Sequence, residues 1–352
     1  MTTGLHKTQS NTIWLSFYLI LLILIIDRPV VANEMPLEGF PANGIVVRDE
    51  RNMLMEREEL YIKSNKIEVS YVFRNLSDKD ITSEVAFPIP SYEYERNGMP
   101  YDINYPVYSD FTVEVNGIKK EYGEISRALI DGKDVTEILN GLNISIKDFN
   151  ESRWGYGSFS RNFFKQSKSV QQKLLDKGVV QVDEYYEGIP HASPAWSVET
   201  TFFWTQVFPA HSVIRIKHTY KPNPSHTKNP GEDKDFINRS IAIDPRKAYV
   251  SEILCFDDEL KQWEKQLTSQ MNTAIIDYIL TTANHWKKPI KEFHLIVEAE
   301  SRTDRSDERV STCFERNKLK KINNHRYEMT IKDFEPKEEI SVFFVTGDIG
   351  KY

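Results

Sequence analysis

Residues Trp196 to Pro222 constrain this chain more than any other stretch. The first arm places Trp196, Val198, Phe202 and Trp204 at even spacing. The second alternates Ile214, Ile216, His218 and Tyr220 with Arg215, Lys217, Thr219 and Lys221. Period-two alternation in aromatic and β-branched residues marks half-buried strands with one face in a core and one in water. Pro209-Ala210-His211-Ser212 is the expected connection, so the stretch predicts a hairpin with a basic outer face. It constrains the fold strongly and the chemistry hardly at all.

The same reading extends in both directions. Met53 to Ile62, Lys66 to Asn75 and Ile81 to Ile89 are expected strands, the last two joined by turn chemistry at Leu76 to Asp80. Phe111 to Val115 and Ile118 to Tyr122 flank Asn116-Gly117, the strongest short hairpin signal. Residues 126–145 switch to helical spacing, with Asp134 or Thr136 as cap and Val135, Ile138, Leu139 and Leu142 on one side. Ser169 to Leu175 predicts a short helix, and residues 222–236, rich in Pro and Asn, predict a linker. Beyond it, Asp257 or Asp258 caps a helix carrying Leu260, Trp263 and Leu267. Strands follow at Ala274 to Leu280, Phe293 to Ala299, Val310 to Phe314, Tyr327 to Ile331 and Ile340 to Val345. Several of these are apolar on both faces, as strands covered on both sides should be. The expected fold class is therefore mainly β (α+β), with two β-sandwich-like domains and short helical insertions. Residues 33–225 form the first domain, with a helical and aromatic insertion at about 123–192, and residues 226–352 form a smaller β domain with a helix. A chain of 352 residues suits two such cores.

Residues 1–32 read as a signal peptide. A polar start with Lys7 leads into the apolar run Ile13 to Ile26, and Val30-Val31-Ala32 supplies compact residues for cleavage between Ala32 and Asn33. The run is shorter than the roughly twenty residues that span a bilayer, so no stable membrane anchor is expected. The expected destination is the periplasm or the extracellular space. Net charge is −7, and this acidic balance argues against nucleic acid or an anionic membrane as partner. Cys255 and Cys313 are the only cysteines. In an exported chain an even pair predicts a disulfide, and two thiols are too few for a structural zinc site. No metal and no cofactor are expected.

The catalytic motifs are missing. Gly155-Tyr156-Gly157-Ser158 lacks the order of a nucleophile elbow, and there is no His-Glu-x-x-His helix, phosphate loop or dinucleotide fingerprint. The candidate binding loops are aromatic: Tyr92, Tyr94, Tyr101, Tyr105 and Tyr108 in one, Trp154 and Tyr156 in the other. Tyrosine offers rigid amphipathic surface at small entropic cost, which suits a protein or carbohydrate partner. The plainer reading is that these rings cover the ends of the sandwich. His218 is expected to be a satisfied core histidine, while loop residues His191, His211 and His226 converge only if the fold brings them together. The functional expectation is an exported, non-catalytic binding or interaction protein of the cell envelope or the medium. The alternative is a secreted hydrolase of envelope or host polymers with a His/Asp/Glu site.

The residues also resemble a known bacterial family. Glu59-Leu60-Tyr61-Ile62, Val69-x-Tyr71-x-Phe73-Arg74-Asn75, Ser77-Asp78-Lys79-Asp80-Ile81 and Val85-Ala86-Phe87-Pro88-Ile89-Pro90 are similar to the start of the family called domain of unknown function 4424. The likeness continues through Gly132 to Thr136, Trp204-x-Gln206-x-Phe208-Pro209-Ala210, Asp277 to Thr282, Trp286-x-x-Pro289-Ile290, Ser311-x-Cys313 and Phe334-x-Pro336. The resemblance implies export and no assigned activity, and the family carries both cysteine positions, which supports the disulfide. Two departures stand out: Asn223-Pro224-Ser225-His226 replaces a Gly-rich turn, and the Tyr-rich segment 91–110 is longer than usual. Residues 59–221 are more loosely similar to the vault/inter-alpha-trypsin domain, a β-sandwich of interaction proteins, which speaks to shape rather than function.

Overall fold

The computed structural model describes residues 46–47, 52–93, 108–147, 158–184, 190–228, 250–278, 280, 288–300 and 307–349. The expected signal peptide and its cleavage site at Ala32 and Asn33 lie outside them, as does most of the expected linker. In chain order the strands are β1 (Val46–Val47), β2 (Met53–Lys63), β3 (Lys66–Asn75), β4 (Ile81–Glu93), β5 (Tyr108–Val115), β6 (Ile118–Lys119), β7 (Gly123–Ile130), β8 (Lys133–Asp134), β9 (Val180–Glu184) and β10 (Pro190–Pro194). They continue with β11 (Ser197–Phe208), β12 (Val213–Pro222), β13 (Ser225–Lys228), β14 (Asn272–Tyr278), β15 (Ile290–Glu298), β16 (Arg309–Thr312), β17 (Lys320–Asn323), β18 (Arg326–Phe334) and β19 (Ile340–Thr346). The helices are short: α1 (Thr136–Asn140), α2 (Ser158–Lys165), α3 (Lys168–Asp176), α4 (Val250–Ile253) and α5 (Asp258–Glu264). The fold is mainly β, as its alternating segments require.

The central layer is an eight-stranded sheet in the order β17-β18-β15-β2-β3-β12-β5-β6. A five-stranded sheet, β1-β4-β11-β7-β8, and a four-stranded sheet, β13-β14-β19-β16, contribute to the same core. Phe87 on β4 and Phe202 on β11 meet Phe111 on β5 at 5.5 and 3.9 Å between ring centroids. Toward the other end, Ile276, Val342 and Phe344 join Phe293 and Leu295. The separation expected at residues 225 and 226 does not divide this sheet. Strand β15 pairs in parallel with β2, from Phe293 opposite Glu58 to Val297 opposite Ile62. The β2–β3 hairpin leaves one edge of β2 unpaired, and β15 covers it. Pro41–Tyr352 consequently form one compact unit.

The stretch Trp196 to Pro222 does not form a hairpin. Strand β11 pairs with β4 and β7, whereas β12 pairs with β3 and β5 in the central sheet. Pro209 to Ser212 are therefore an arch between layers. Alternation shows which face of each strand is buried but does not choose its partner. Asn75 clamps the arch. Its side-chain amide donates to the carbonyls of Lys79, Phe208 and Pro209 at 2.8, 2.9 and 3.2 Å, and its Oδ1 accepts from the Ser77 amide and hydroxyl. Asn75 is 1 % exposed, so Asn75→Ala removes the buried donor to the Phe208 carbonyl and the acceptor of the Ser77 amide and hydroxyl at once. We expect it to cost about 3 kcal/mol in urea unfolding; a loss below about 1 kcal/mol would show that the clamp is dispensable.

Residues 126–130 also depart from expectation. They belong to strand β7, and only Thr136–Asn140 are helical. Thr136 Oγ1 accepts from the Ala128 amide at 2.9 Å, so this residue ties the helix start to the strand instead of capping it. Elsewhere the signals hold. Ser167 caps α3, Asp257 caps α5, and Asn116 and Gly117 take φ of 52° and 79° between β5 and β6. Strand β19 is covered on both faces: Val342 and Phe344 enter the main core, while Phe343 and Val345 pack with Leu254, Phe256, Leu260 and Trp263.

Candidate functional site

The candidate site is a small polar pocket where α5 meets β16 and β17. Asp257 starts it. Its Oδ1 accepts from the Leu260 amide at 2.8 Å and fixes the first turn of α5, and its Oδ2 accepts from Tyr327 Oη at 2.8 Å and Lys321 Nζ at 3.2 Å. Partial burial opposes ionisation of Asp257, but the Leu260 amide, the Tyr327 hydroxyl and the Lys321 ammonium together hold its carboxyl below the ordinary range. Lys321 Nζ also donates to Glu259 at 2.7 Å.

The far wall is β16. Cys313, one residue past its end, is bonded to Cys255, three residues before α5. The disulfide thus ties helix and strand walls together. Ser311 Oγ donates to the Leu254 carbonyl at 2.7 Å, and Arg316 Nη2 donates to the Phe256 carbonyl at 2.7 Å. The chain's last described residues close the third side. The Thr268 amide donates to the Asp348 carbonyl and the Asp348 amide to Ser269 Oγ, both at 2.8 Å. At Gly347 a Cβ would come within 2.8 Å of the Leu267 Cδ2 methyl, so the chain end packs closely on that side chain.

The half-open space is about 180 Å³ and is lined by Glu259, Gln262, Trp263, Arg309, Lys321, Asn324 and their neighbours Leu260, Gln266 and Ile349. Two of its buried donors have no acceptor: Trp263 Nε1 and Arg309 Nε. Arg309 Nη2 is engaged, donating to Asp307 at 3.0 Å, and Asp307 also meets His325 Nε2 at 2.8 Å. A buried N–H without a partner costs on the order of 1–3 kcal/mol; both belong to lining residues, though neither nitrogen is itself open to the space.

A second polar set lies in the core. Glu58, Tyr71, Tyr220, Tyr278 and His218 are 0–4 % exposed. The hydroxyls of Tyr71 and Tyr278 lie 3.3 Å apart. Burial pushes the Glu58 carboxyl up to about 8 and the His218 imidazole down to about 3. Burial, then the neighbouring Tyr71 and Glu58, raises Tyr278 well above its ordinary value. His218 is a core histidine, but not a satisfied one. Neither ring nitrogen has a hydrogen-bond partner, and the ring packs against Phe87 at 4.5 Å and Trp204 at 5.4 Å.

The aromatic loops fare differently. Tyr92 and Tyr108 are 6 % and 7 % exposed and lie within β4 and β5, so they are packing residues and not loop contacts. Tyr108 stands edge-on to Phe202 at 5.5 Å, and burial pushes its hydroxyl up to about 12. Tyr94, Tyr101, Tyr105, Trp154 and Tyr156 lie outside the described residues. His191 is buried in β10, His211 in the arch pairs with Asp78 at 2.8 Å, and His226 sits in β13. Among the described residues no group of three or more His, Cys, Asp or Glu is placed to hold a metal. Sequence reading passed over the pocket because Trp263 also serves the helix's apolar stripe. The one available signal was a tryptophan, whose N–H needs a partner wherever it is buried.

The fold and pocket together define a disulfide-stapled, mainly β protein with a small polar cavity. The chain belongs to the family described as Domain of unknown function (DUF4424), whose model matches residues 38–343. No curated protein matches the chain in sequence. Among solved structures it is similar to a Legionella pneumophila protein named for nutrient binding, at 13% identity and TM-score 0.41, covering 86% of this chain and 70% of that one. It is also similar to an M1 zinc metallopeptidase from Deinococcus radiodurans, at 9% identity and TM-score 0.24, covering 88% of this chain and 44% of that one.

Proposed function

We propose that the chain is an exported, non-catalytic binding protein that takes a small polar ligand in the pocket of α5, β16 and β17. One observation carries the reading: the polar and charged side chains of Glu259, Gln262, Arg309, Lys321 and Asn324 line one space of about 180 Å³. A few convergent polar groups in a small concavity are what fixes a small polar ligand. Export is supported by the apolar run that ends at Ala32 and by a disulfide, which suits an oxidising compartment.

Thermal unfolding of the oxidised protein against a panel of amino acids, monosaccharides and short organic acids tests the binding. A ligand at a hundred times its Kd should stabilise the protein by about 2.7 kcal/mol, and Lys321→Met should reduce that gain. If no compound stabilises the protein while a model ester or glycoside is hydrolysed, the hydrolase reading takes its place. Cell fractionation tests the address: recovery in the cytosol with residues 1–32 intact would overturn export.

A further inference from the structure

We propose that the pocket takes a neutral polyhydroxyl ligand, a single sugar unit, held between the amides of Gln262 and Gln266 on one wall and of Asn324 on another. The proposal rests on the binding reading above and names its ligand class. Glu259 and Gln262 stand three residues apart on α5 and so share a face, and Gln266 follows in the turn beyond the helix. Asn324 lines the same space from the turn between β17 and β18. Gln262, Gln266 and Asn324 are exposed, and among the described residues no side-chain hydrogen bond occupies their amides.

The charged members of the lining are already committed. Lys321 meets Asp257 and Glu259 at 3.2 and 2.7 Å, and Arg309 meets Asp307 at 3.0 Å. Three carboxylates thus stand against two cations. An organic anion would find neither a spare cation nor a favourable field, and a cation would have to displace Lys321 from Glu259. What is open is neutral and two-sided, because each primary amide offers an oxygen that accepts and an NH2 that donates. Hydroxyls do both as well, and neighbouring hydroxyls on a sugar can donate to the amide oxygen and accept from its nitrogen. Glu259 adds one more acceptor. Lys321 takes its Oε2, which leaves Oε1 for a charge-assisted bond from a ligand hydroxyl.

Size narrows the class. An apolar cavity of ~150 Å³ accommodates benzene, so 180 Å³ suits about seven non-hydrogen atoms by the same scale. That is one edge of a pyranose ring with its hydroxyls. The space is half open, so the rest of the ring, or a glycan attached to it, projects outward. Half-buried Ile349 offers apolar surface to the C–H groups of the ring. The walls are also braced before any ligand arrives, by the Cys255–Cys313 bond, the Asp257 cap and the hook of Asp348 onto Thr268 and Ser269. A preorganised site loses less to ordering on binding.

The test is a titration of the full ¹⁵N-labelled, oxidised protein with glucose, galactose, N-acetylglucosamine and the glucose trimer maltotriose, with propionate and glycine as charged controls. The readout is the side-chain NH2 resonances of Gln262 and Asn324, assigned by their disappearance in Gln262→Met and Asn324→Leu. At least one sugar should move both resonances saturably. Each variant should weaken that sugar about tenfold, as expected for the loss of one or two hydrogen bonds. Both positions are exposed, so neither substitution threatens folding. Saturation by a monosaccharide assigns the pocket to free sugars, and saturation by maltotriose alone assigns it to the end of a glycan; either supports the proposal. Sugar binding that both variants retain in full would lie elsewhere and overturn it. Stabilisation by propionate or glycine that is lost in Lys321→Met, with no response to any sugar, would overturn the sugar assignment and leave the binding reading standing. If no compound of either kind moves the resonances or the unfolding midpoint, both fall.

Discussion

Glu58→Gln should stabilise the protein by about 5 kcal/mol at about pH 9 and hardly at all near pH 5. The side chain sits on β2 between Tyr71 of β3 and Phe293 of β15, is 3 % exposed, and its carboxyl is raised from 4.5 to about 8 by burial. Below 4.5 the carboxyl is protonated in both folded and unfolded chains, and it contributes no pH dependence. Between 4.5 and about 8 the unfolded chain releases the proton while the folded chain keeps it, so stability falls as pH rises. Above about 8 both are ionised and the loss levels off. The gap is about three and a half pKa units, worth roughly 5 kcal/mol. His218 acts in the opposite direction. Its imidazole is lowered from 6.5 to about 3 by burial, so stability is lost as pH falls through that window, by a similar amount. The two slopes cancel between about pH 4.5 and 6.5 and leave a plateau there. Urea unfolding of the wild type and Glu58→Gln across this range measures both limbs. If the wild type were as stable at about pH 9 as at pH 5, Glu58 would have to be solvated or paired.

Glu58 was legible in the sequence in a way that is easy to pass over. Met53 and Met55 are odd-numbered core residues of β2, whereas Leu60 and Ile62 are even-numbered. A strand cannot change parity without an extra residue, and the register slips between Met55 and Arg57. Once the bulge is placed there, Glu58 must face inward. Strand identity and burial were readable almost throughout because the alternation is local. Partner choice was not. The arms of Trp196 to Pro222 are adjacent in sequence yet lie in different layers, and β2 pairs with β15 across the whole intervening chain. Strand β7 was hidden because Ala128 and Leu129 also fit helical spacing with Val135 and Leu139. The pocket was hidden for the same reason as the long pairings. Trp263, Arg309, Lys321 and Ile349 come from four separate segments, and no spacing rule joins them. Its walls were partly visible, in the Asp257 cap and the two cysteines.

Opening the disulfide should cost about 4 kcal/mol, and the damage should be local before it is global. Cys255 and Cys313 are 58 residues apart, and releasing a loop of that length restores about 4 kcal/mol of chain entropy to the unfolded state. The bond holds α4 and α5 against β16, and the core they share (Leu254, Phe256, Leu260, Trp263, Phe343 and Val345) is separate from the main one. The central sheet has its own aromatic core and does not need the bond. Cys255→Ser with Cys313→Ser should therefore lower the urea midpoint and raise amide exchange first over residues 250–269, with β2, β3 and β12 still protected. The stabilisation that a pocket ligand gives should weaken with it, because both pocket walls lose their tether. Uniform exchange across all sheets, or a stability loss below about 1 kcal/mol, would mean that the hydrogen bonds of Ser311 and Arg316 alone hold the walls. The pocket would then be as competent in a reducing compartment as outside the cell, and the disulfide would no longer support export.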